Sequence, residues 1–293
     1  MNNGLFFVLI AYTIWGFFPA FFKLLEDVPA LEIITHRIIW SFVFLALLLW
    51  LKSGLPKLKQ SITRKTFGIY ALAGVILTIN WLTYVWGVNT DQIVQTSLGY
   101  FINPLISVLI GVLILKEKLR PLQWLPILLA TIGVVYLTIT MGSLPWIALV
   151  LALTFGFYSF LKKIAPLKSV HGLTIETGVV VIPALVYMFF LYRNEAAQFA
   201  AGNHWTTIFL ILAGPITALP LIFFAAGTPR VSLVTIGILQ YIAPTIQFLI
   251  GIFLFHEPFV QAQMIGYGFV WAAVLIFTTE GLMENKHAGR TTR

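Results

Sequence analysis

Ten apolar runs, each close to the roughly 20 residues that a helix needs to cross a bilayer, take up almost all of this 293-residue chain. They lie at about 4–22, 31–51, 67–88, 94–115, 122–140, 144–161, 172–192, 206–225, 231–255 and 261–280. The longest gap, Lys52 to Thr66, has no room for a soluble domain. Hydrophobic residues make up 59% of the chain and charged ones 10%, so the apolar surface exceeds what a soluble core can enclose. The expected fold class is an all-α integral membrane protein with ten transmembrane helices. The first run has no basic flank before it and no small-residue cleavage site after it, so it reads as a retained helix.

Charge sets the expected orientation. The net charge is +8, but the basic residues stand in the short gaps, which points to lipid head groups and not to nucleic acid. Alternate gaps, starting from the N-terminus, hold fifteen of the 18 Lys and Arg residues; the other gaps hold only Lys23 and Arg193, and Arg37 lies inside the second run. Basic residues are retained on the cytoplasmic side. Both termini are therefore expected in the cytoplasm.

A repeat runs through the chain at an offset of 140 residues. Pro104 falls on Pro244, Gly111 on Gly251, Glu117 on Glu257, Gly16 on Gly156 and Lys23 on Lys163. Proline, glycine and glutamate are scarce in apolar runs, so one offset serving several distant segments points to duplication. Residues 1–140 form the expected first copy and 141–293 the second, five helices each, inserted with opposite polarity because five is odd. Inverted repeats of this kind place a solute site near mid-membrane where the halves meet.

The polar residues inside the runs are the candidate site. Tyr100, Pro104, Ser107 and Gly111 share one face of the fourth run, and Gln240, Pro244, Gln247 and Gly251 share the matching face of the ninth. Polar groups facing lipid are costly, so both faces should point inward, either packed together or lining a cavity. Tyr100, Asn103, Gln240 and Tyr241 are assigned to the cavity, with Asn80 and Tyr84 on one face of the third run and Trp15 as an aromatic wall. Asn80 serves either an interhelical hydrogen bond or a ligand.

Arg37 either binds an anionic group such as a carboxylate or reaches the outer surface paired with Glu32. His36, four residues after Glu32, is a candidate proton carrier, and the repeat places Glu176 at the matching depth. Pro104 and Pro244 permit bends. Glu117 and Glu257 close their helices at the end that the helix dipole makes unfavourable for a carboxylate, so a neighbouring cation or the backbone amides of the next helix should hold them in a structural or gating role.

Other chemistries find no support. Nucleophile-elbow, zincin and phosphate-loop motifs are absent, there is no cysteine, and the five histidines are scattered, so neither a catalytic site, a metal nor a cofactor is expected.

The segments NWLTYVWGVN (80–89), TSLGYFINPL (96–105), TFGFYSFLKK (154–163) and LQYIAPTIQF (239–248) resemble those of RarD-type permeases in the EamA family of the drug/metabolite transporter superfamily. Phe160 and Lys162 depart from the form of the third segment usual in that family. The resemblance implies a multi-pass permease of the bacterial inner membrane that exports small solutes, amino acids and related metabolites or drugs among them. Its partners would be a small-molecule substrate, the bilayer and, as one assembly, a second copy in a homodimer. A flippase for lipid or lipid-linked substrates shares that build; a membrane-embedded enzyme would need convergent acids or a nucleophile that the sequence lacks.

Overall fold

A bilayer offers the backbone no hydrogen-bond partners, so a chain this apolar satisfies its peptide groups within helices. The computed structural model describes residues 3–51, 54–89, 93–141, 146–201, 203–255, 264–266, 268–269, 271–277 and 279–280, and it contains no strand among them. Glu257 lies outside the described residues. The helices used below are α1 (Asn3–Gly16), α2 (Phe18–Phe22), α3 (Ala30–Leu51), α4 (Leu55–Ser61), α5 (Arg64–Asn89), α6 (Ile93–Leu113), α7 (Trp124–Met141), α8 (Trp146–Ile164), α9 (Ser169–Arg193), α10 (His204–Gly227), α11 (Leu233–Leu239) and α12 (Ile242–Phe253). Seven segments among the described residues are long and apolar enough to cross a membrane. Three shorter apolar helices, Gly99–Leu113, Leu233–Gln247 and Met264–Phe277, fall in the fourth, ninth and tenth runs. The protein is an all-α, multi-pass membrane protein.

Residues from the two ends of the chain interlock. α6 packs chiefly against α8 and α11, α3 against α9 and α10, and α5 against α8 and α9, while α1 lies along α10 and α12. Small residues allow this. A Cβ at Gly214 would lie 2.3 Å from the Trp40 backbone, and Ser41 Oγ donates to the Gly214 carbonyl at 3.0 Å. The 140-residue offset recurs in the packing: a Cβ at Gly16 would lie 2.6 Å from the Ile246 side chain, and one at Gly156 2.6 Å from that of Ile106.

The ninth run is not the single helix expected over 231–255. It breaks at Gln240–Tyr241 into α11 and α12. Pro244 has no N–H to return to the carbonyl of Gln240, and its ring crowds that turn. Pro104, at the equivalent place, stays inside a continuous α6. The first run also breaks, at Phe17, two residues before Pro19 in the first turn of α2.

Glu117 is satisfied by backbone amides, but not those of the next helix. Its Oε1 and Oε2 accept from Leu233 N at 2.8 Å and Val234 N at 3.0 Å, in the first turn of α11. Lys116, in the left-handed region at φ 55°, turns the chain after α6, and the Glu117 amide donates back to Gly111 O at 3.0 Å. The carboxylate thus leaves the negative end of α6 for the positive end of a helix 116 residues further along.

Candidate functional site

The breaks in the first and ninth runs border a cavity of about 350 Å³ inside the helices. α5 gives it Asn80, Trp81 and Tyr84; α6 gives Tyr100 and Asn103; the α11–α12 break gives Gln240, Pro244 and Gln247. α1 and α2 supply Tyr12, Trp15, Phe18 and Phe22, α3 supplies Arg37, and Phe155 and Leu221 come from α8 and α10. Seven of the eight sequence-predicted contact residues are therefore on the wall.

Tyr241, expected on the wall, is the exception. It is fully buried against Phe101, and its hydroxyl donates to the Phe101 carbonyl at 3.1 Å, away from the cavity. A one-residue step in the turn before α12 sends Gln240 inward and Tyr241 into the α6 interface.

Arg37 does not reach out to Glu32. Its guanidinium carbon sits 4.7 Å from the Trp81 ring centroid, 4.9 Å from Phe22 and 5.8 Å from Phe18, distances at which an aromatic face attracts a cation. Its Nε donates to Thr217 Oγ1 at 3.0 Å. Among the described residues no carboxylate comes within ion-pair distance of it. Glu32 instead accepts from the amides of Gln198 at 2.8 Å and Phe199 at 3.0 Å.

The amide nitrogen of Asn80 is committed to helix packing, donating to Leu151 O at 2.9 Å and Thr154 Oγ1 at 2.8 Å on α8. Gln240 Oε1 accepts from Ser107 Oγ at 3.2 Å, and Gln247 Nε2 donates to Trp15 O at 3.0 Å. Two buried polar atoms of wall residues, Asn103 Oδ1 and Tyr12 Oη, have no hydrogen-bond partner among the described residues. The arrangement is thus a cation fixed among aromatic rings, an amide oxygen and a phenol with spare capacity, further amides that bond to the protein itself, and otherwise mostly apolar walls.

The two residues predicted to carry protons lie off the cavity. His36 Nδ1 accepts from Trp40 Nε1 at 3.1 Å, its ring packs on Phe199 at 4.6 Å, and Nε2 stands 3.9 Å from Glu32 Oε1. Glu176 forms a buried ion pair with Lys162, Nζ to Oε1 2.5 Å. Lys162, expected just past the sixth run in a cytoplasmic gap, is instead helical and buried, because α8 runs on through Ile164. Pro244 is on the wall, while Pro104 and Glu117 are structural neighbours of α11.

Sequence reasoning missed Tyr12, Phe18, Phe22 and Thr217. Phe18 and Phe22 are four apart beside the buried cation, and Tyr12 is three before Trp15, which is the spacing of one helical face. Nothing in the sequence links Thr217 to Arg37, 180 residues away.

Comparisons with known proteins place the chain. Residues 2–139 match the EamA-like transporter family. The uncharacterized transporter YojE of Bacillus subtilis is 44% identical over 283 residues, covering 94% of each chain. Protein RarD of Escherichia coli is 37% identical over 290 residues, 99% of this chain and 98% of its own. A crystal structure only 15% identical superposes with a TM-score of 0.71 over 94% of this chain and 97% of that one, which shows a shared fold. With whole-length relatives at these identities and an all-helical membrane architecture around an internal cavity, the chain belongs to the EamA-like transporter family as a RarD-type permease.

Proposed function

We propose that this permease is a secondary transporter that exports small organic solutes carrying an anionic group, amino acids and related metabolites or drugs among them. The observation that carries the reading is Arg37. A guanidinium inside a membrane protein is costly unless a counter-charge or water meets it, and this one faces a mostly apolar cavity with no carboxylate of the described chain at hand. A carboxylate on a solute satisfies it bidentately. A donor on the same solute pairs with Asn103 Oδ1, the Tyr12 hydroxyl completes the polar set, and the rings of Trp15, Trp81, Tyr84 and Tyr100 hold an apolar body.

Movement across the membrane follows from ten spans arranged as two inverted repeats, residues 1–140 and 141–293, rocking around this cavity with both termini in the cytoplasm of a bacterial inner membrane. The paired contacts of Gly16 with Ile246 and Gly156 with Ile106 support the repeat, and the unequal placing of basic residues supports the orientation. Proton linkage through His36 or Glu176 is the coupled form of the proposal; facilitated diffusion is the uncoupled form.

Proteoliposomes loaded with radiolabelled solutes test it. Efflux of amino acids and aromatic monocarboxylates is expected, with Arg37→Met abolishing carboxylate flux and sparing any neutral solute. Equal carboxylate flux in wild type and Arg37→Met refutes the assignment. Flux of a headgroup-labelled lipid in place of the soluble solutes makes the chain a flippase. An imposed pH gradient separates the coupled form from the uncoupled one.

A further inference from the structure

Beyond the floor of the cavity, the chemistry of Arg37 recurs in the other half of the chain. Lys162 and Glu176, each 2% exposed, form the 2.5 Å pair described above, and Tyr158 Oη donates to Glu176 Oε2 at 3.2 Å. The ammonium of Lys162 also lies 5.4 Å from the Tyr70 ring and 5.7 Å from the Tyr158 ring. A cation set among aromatic rings thus occurs twice. The repeat offset relates the two settings, with Phe18 falling on Tyr158, Phe22 on Lys162, His36 on Glu176 and Arg37 on Thr177.

The two settings differ in what meets the cation. Arg37 meets the cavity; Lys162 meets a carboxylate of its own chain. A series of packed rings leads from the Lys162 setting to the cavity wall. Trp15 contacts Tyr12 at 5.5 Å, Phe155 at 5.9 Å and Phe224 at 5.5 Å, and Tyr158 lies 5.8 Å from Phe155 and 6.2 Å from Phe224. Of these rings Tyr12, Trp15 and Phe155 line the cavity, which also reaches Phe22 and Ala30, near the exposed Lys23–Glu26 pair in sequence. Alternating access requires the closed end to part. When it does, Lys162 is the cation brought to the cavity, as Arg37 is now.

We propose that Lys162 is a second anion-binding residue of the solute pathway, serving the state open at the α8–α9 end, and that the Glu176 carboxylate occupies it while that end is shut. This rests on the transporter reading above. A solute carboxylate arriving at that end replaces Glu176 on Lys162, and Glu176, released, faces the water of the opened vestibule. The pair is therefore both a latch and a place-holder. A ligand moves a conformational equilibrium only through a difference in affinity between its states, and exchange at Lys162 supplies that difference.

The chain has no cysteine, so Thr177→Cys provides a single reporter thiol at a position that is now buried. Reconstituted full-length protein is labelled with a membrane-impermeant maleimide, with and without phenylacetate as the carboxylate probe. Without phenylacetate the otherwise native chain should label slowly. Adding Glu176→Gln strands the Lys162 charge and should raise the rate by roughly tenfold or more; phenylacetate seated on Lys162 should fill the opened vestibule, shield the thiol and reverse most of that rise. Adding Lys162→Met to Glu176→Gln should remove the protection by phenylacetate. Lys162→Arg, which keeps the pair, should label as the native chain does and so separates loss of the latch from loss of fold. An unchanged rate in Glu176→Gln overturns the latch. Phenylacetate that protects both variants alike, or neither, overturns Lys162 as the anion residue. A native chain that moves no carboxylate solute sinks the transporter proposal alone, because the labelling rates need no net flux.

Discussion

Glu117 is held at the first turn of α11 by two backbone amides, 2.8 and 3.0 Å from its oxygens, and Gly111 is the residue that leaves it room. Glu117→Ala removes both acceptors. Hydrogen bonds to a charged group contribute roughly 1.5 kcal/mol each, and a carboxylate at a helix N-terminus adds roughly 0.5–1 kcal/mol. The side chain is half-buried, so water recovers part of the loss, and a net cost of about 2–3 kcal/mol is expected. For a chain of this length that is a fall of about 3–5 °C in apparent melting temperature, measured in detergent micelles at a fixed scan rate because unfolding of such proteins is kinetically controlled. Glu117→Gln keeps one acceptor oxygen and should lose about half as much.

Gly111→Ala tests the geometry from the other side. The new Cβ would stand 2.9 Å from Glu117 Oε2 and 3.2 Å from Leu233 Cβ. In the native background it displaces the carboxylate; in the Glu117→Ala background only the milder Leu233 contact remains. The two substitutions should therefore be less than additive, with a coupling of about 1 kcal/mol or more. Strict additivity, or a Glu117→Gln variant as stable as the native chain, refutes the cap.

Three further outcomes are expected. Thr217→Val, which removes the acceptor for Arg37 Nε without changing shape, should raise the KM for carboxylate solutes severalfold in the liposome assay and leave any neutral solute unaffected. Tyr241→Phe breaks the hydrogen bond to Phe101 O and should cost about 1 kcal/mol of stability with solute affinity unchanged; a shift in affinity would return Tyr241 to the site. Gly156→Ala brings a methyl group to 2.6 Å from Ile106 Cγ2 and should destabilise by about 1–3 kcal/mol, a loss that Ile106→Leu, which lacks the Cγ2 methyl at similar volume, partly relieves in thermal scans.

Helix positions were legible in the sequence because the bilayer permits little else: run length and charge placement bound the architecture before any side-chain contact is known. Wall residues were legible for a related reason. A polar side chain deep in an apolar run must find something other than lipid, and Asn103, Tyr100 and Gln240 found the cavity. That argument locates inward faces but does not distinguish a cavity from a buried interface one residue away, so Tyr241 was misplaced. It also cannot name partners distant in sequence. Thr217 for Arg37, α11 for Glu117 and Lys162 for Glu176 depend on how helices interlock. The break at Gln240–Tyr241 was signalled by Pro244 only as a bend, since the same proline chemistry at Pro104 leaves α6 unbroken.

The interlocking has a bearing on biogenesis. When the ribosome has released α1 to α6, the surfaces that α3 and α6 will present to α9, α10, α8 and α11 have nothing of their own chain to meet. Arg37 then lacks Thr217, and Glu117 lacks its two amides. The early helices must wait beside the translocon or an insertase until their later neighbours emerge. A gene split after α7 should accordingly yield two fragments that are degraded when expressed singly and persist when they are made together.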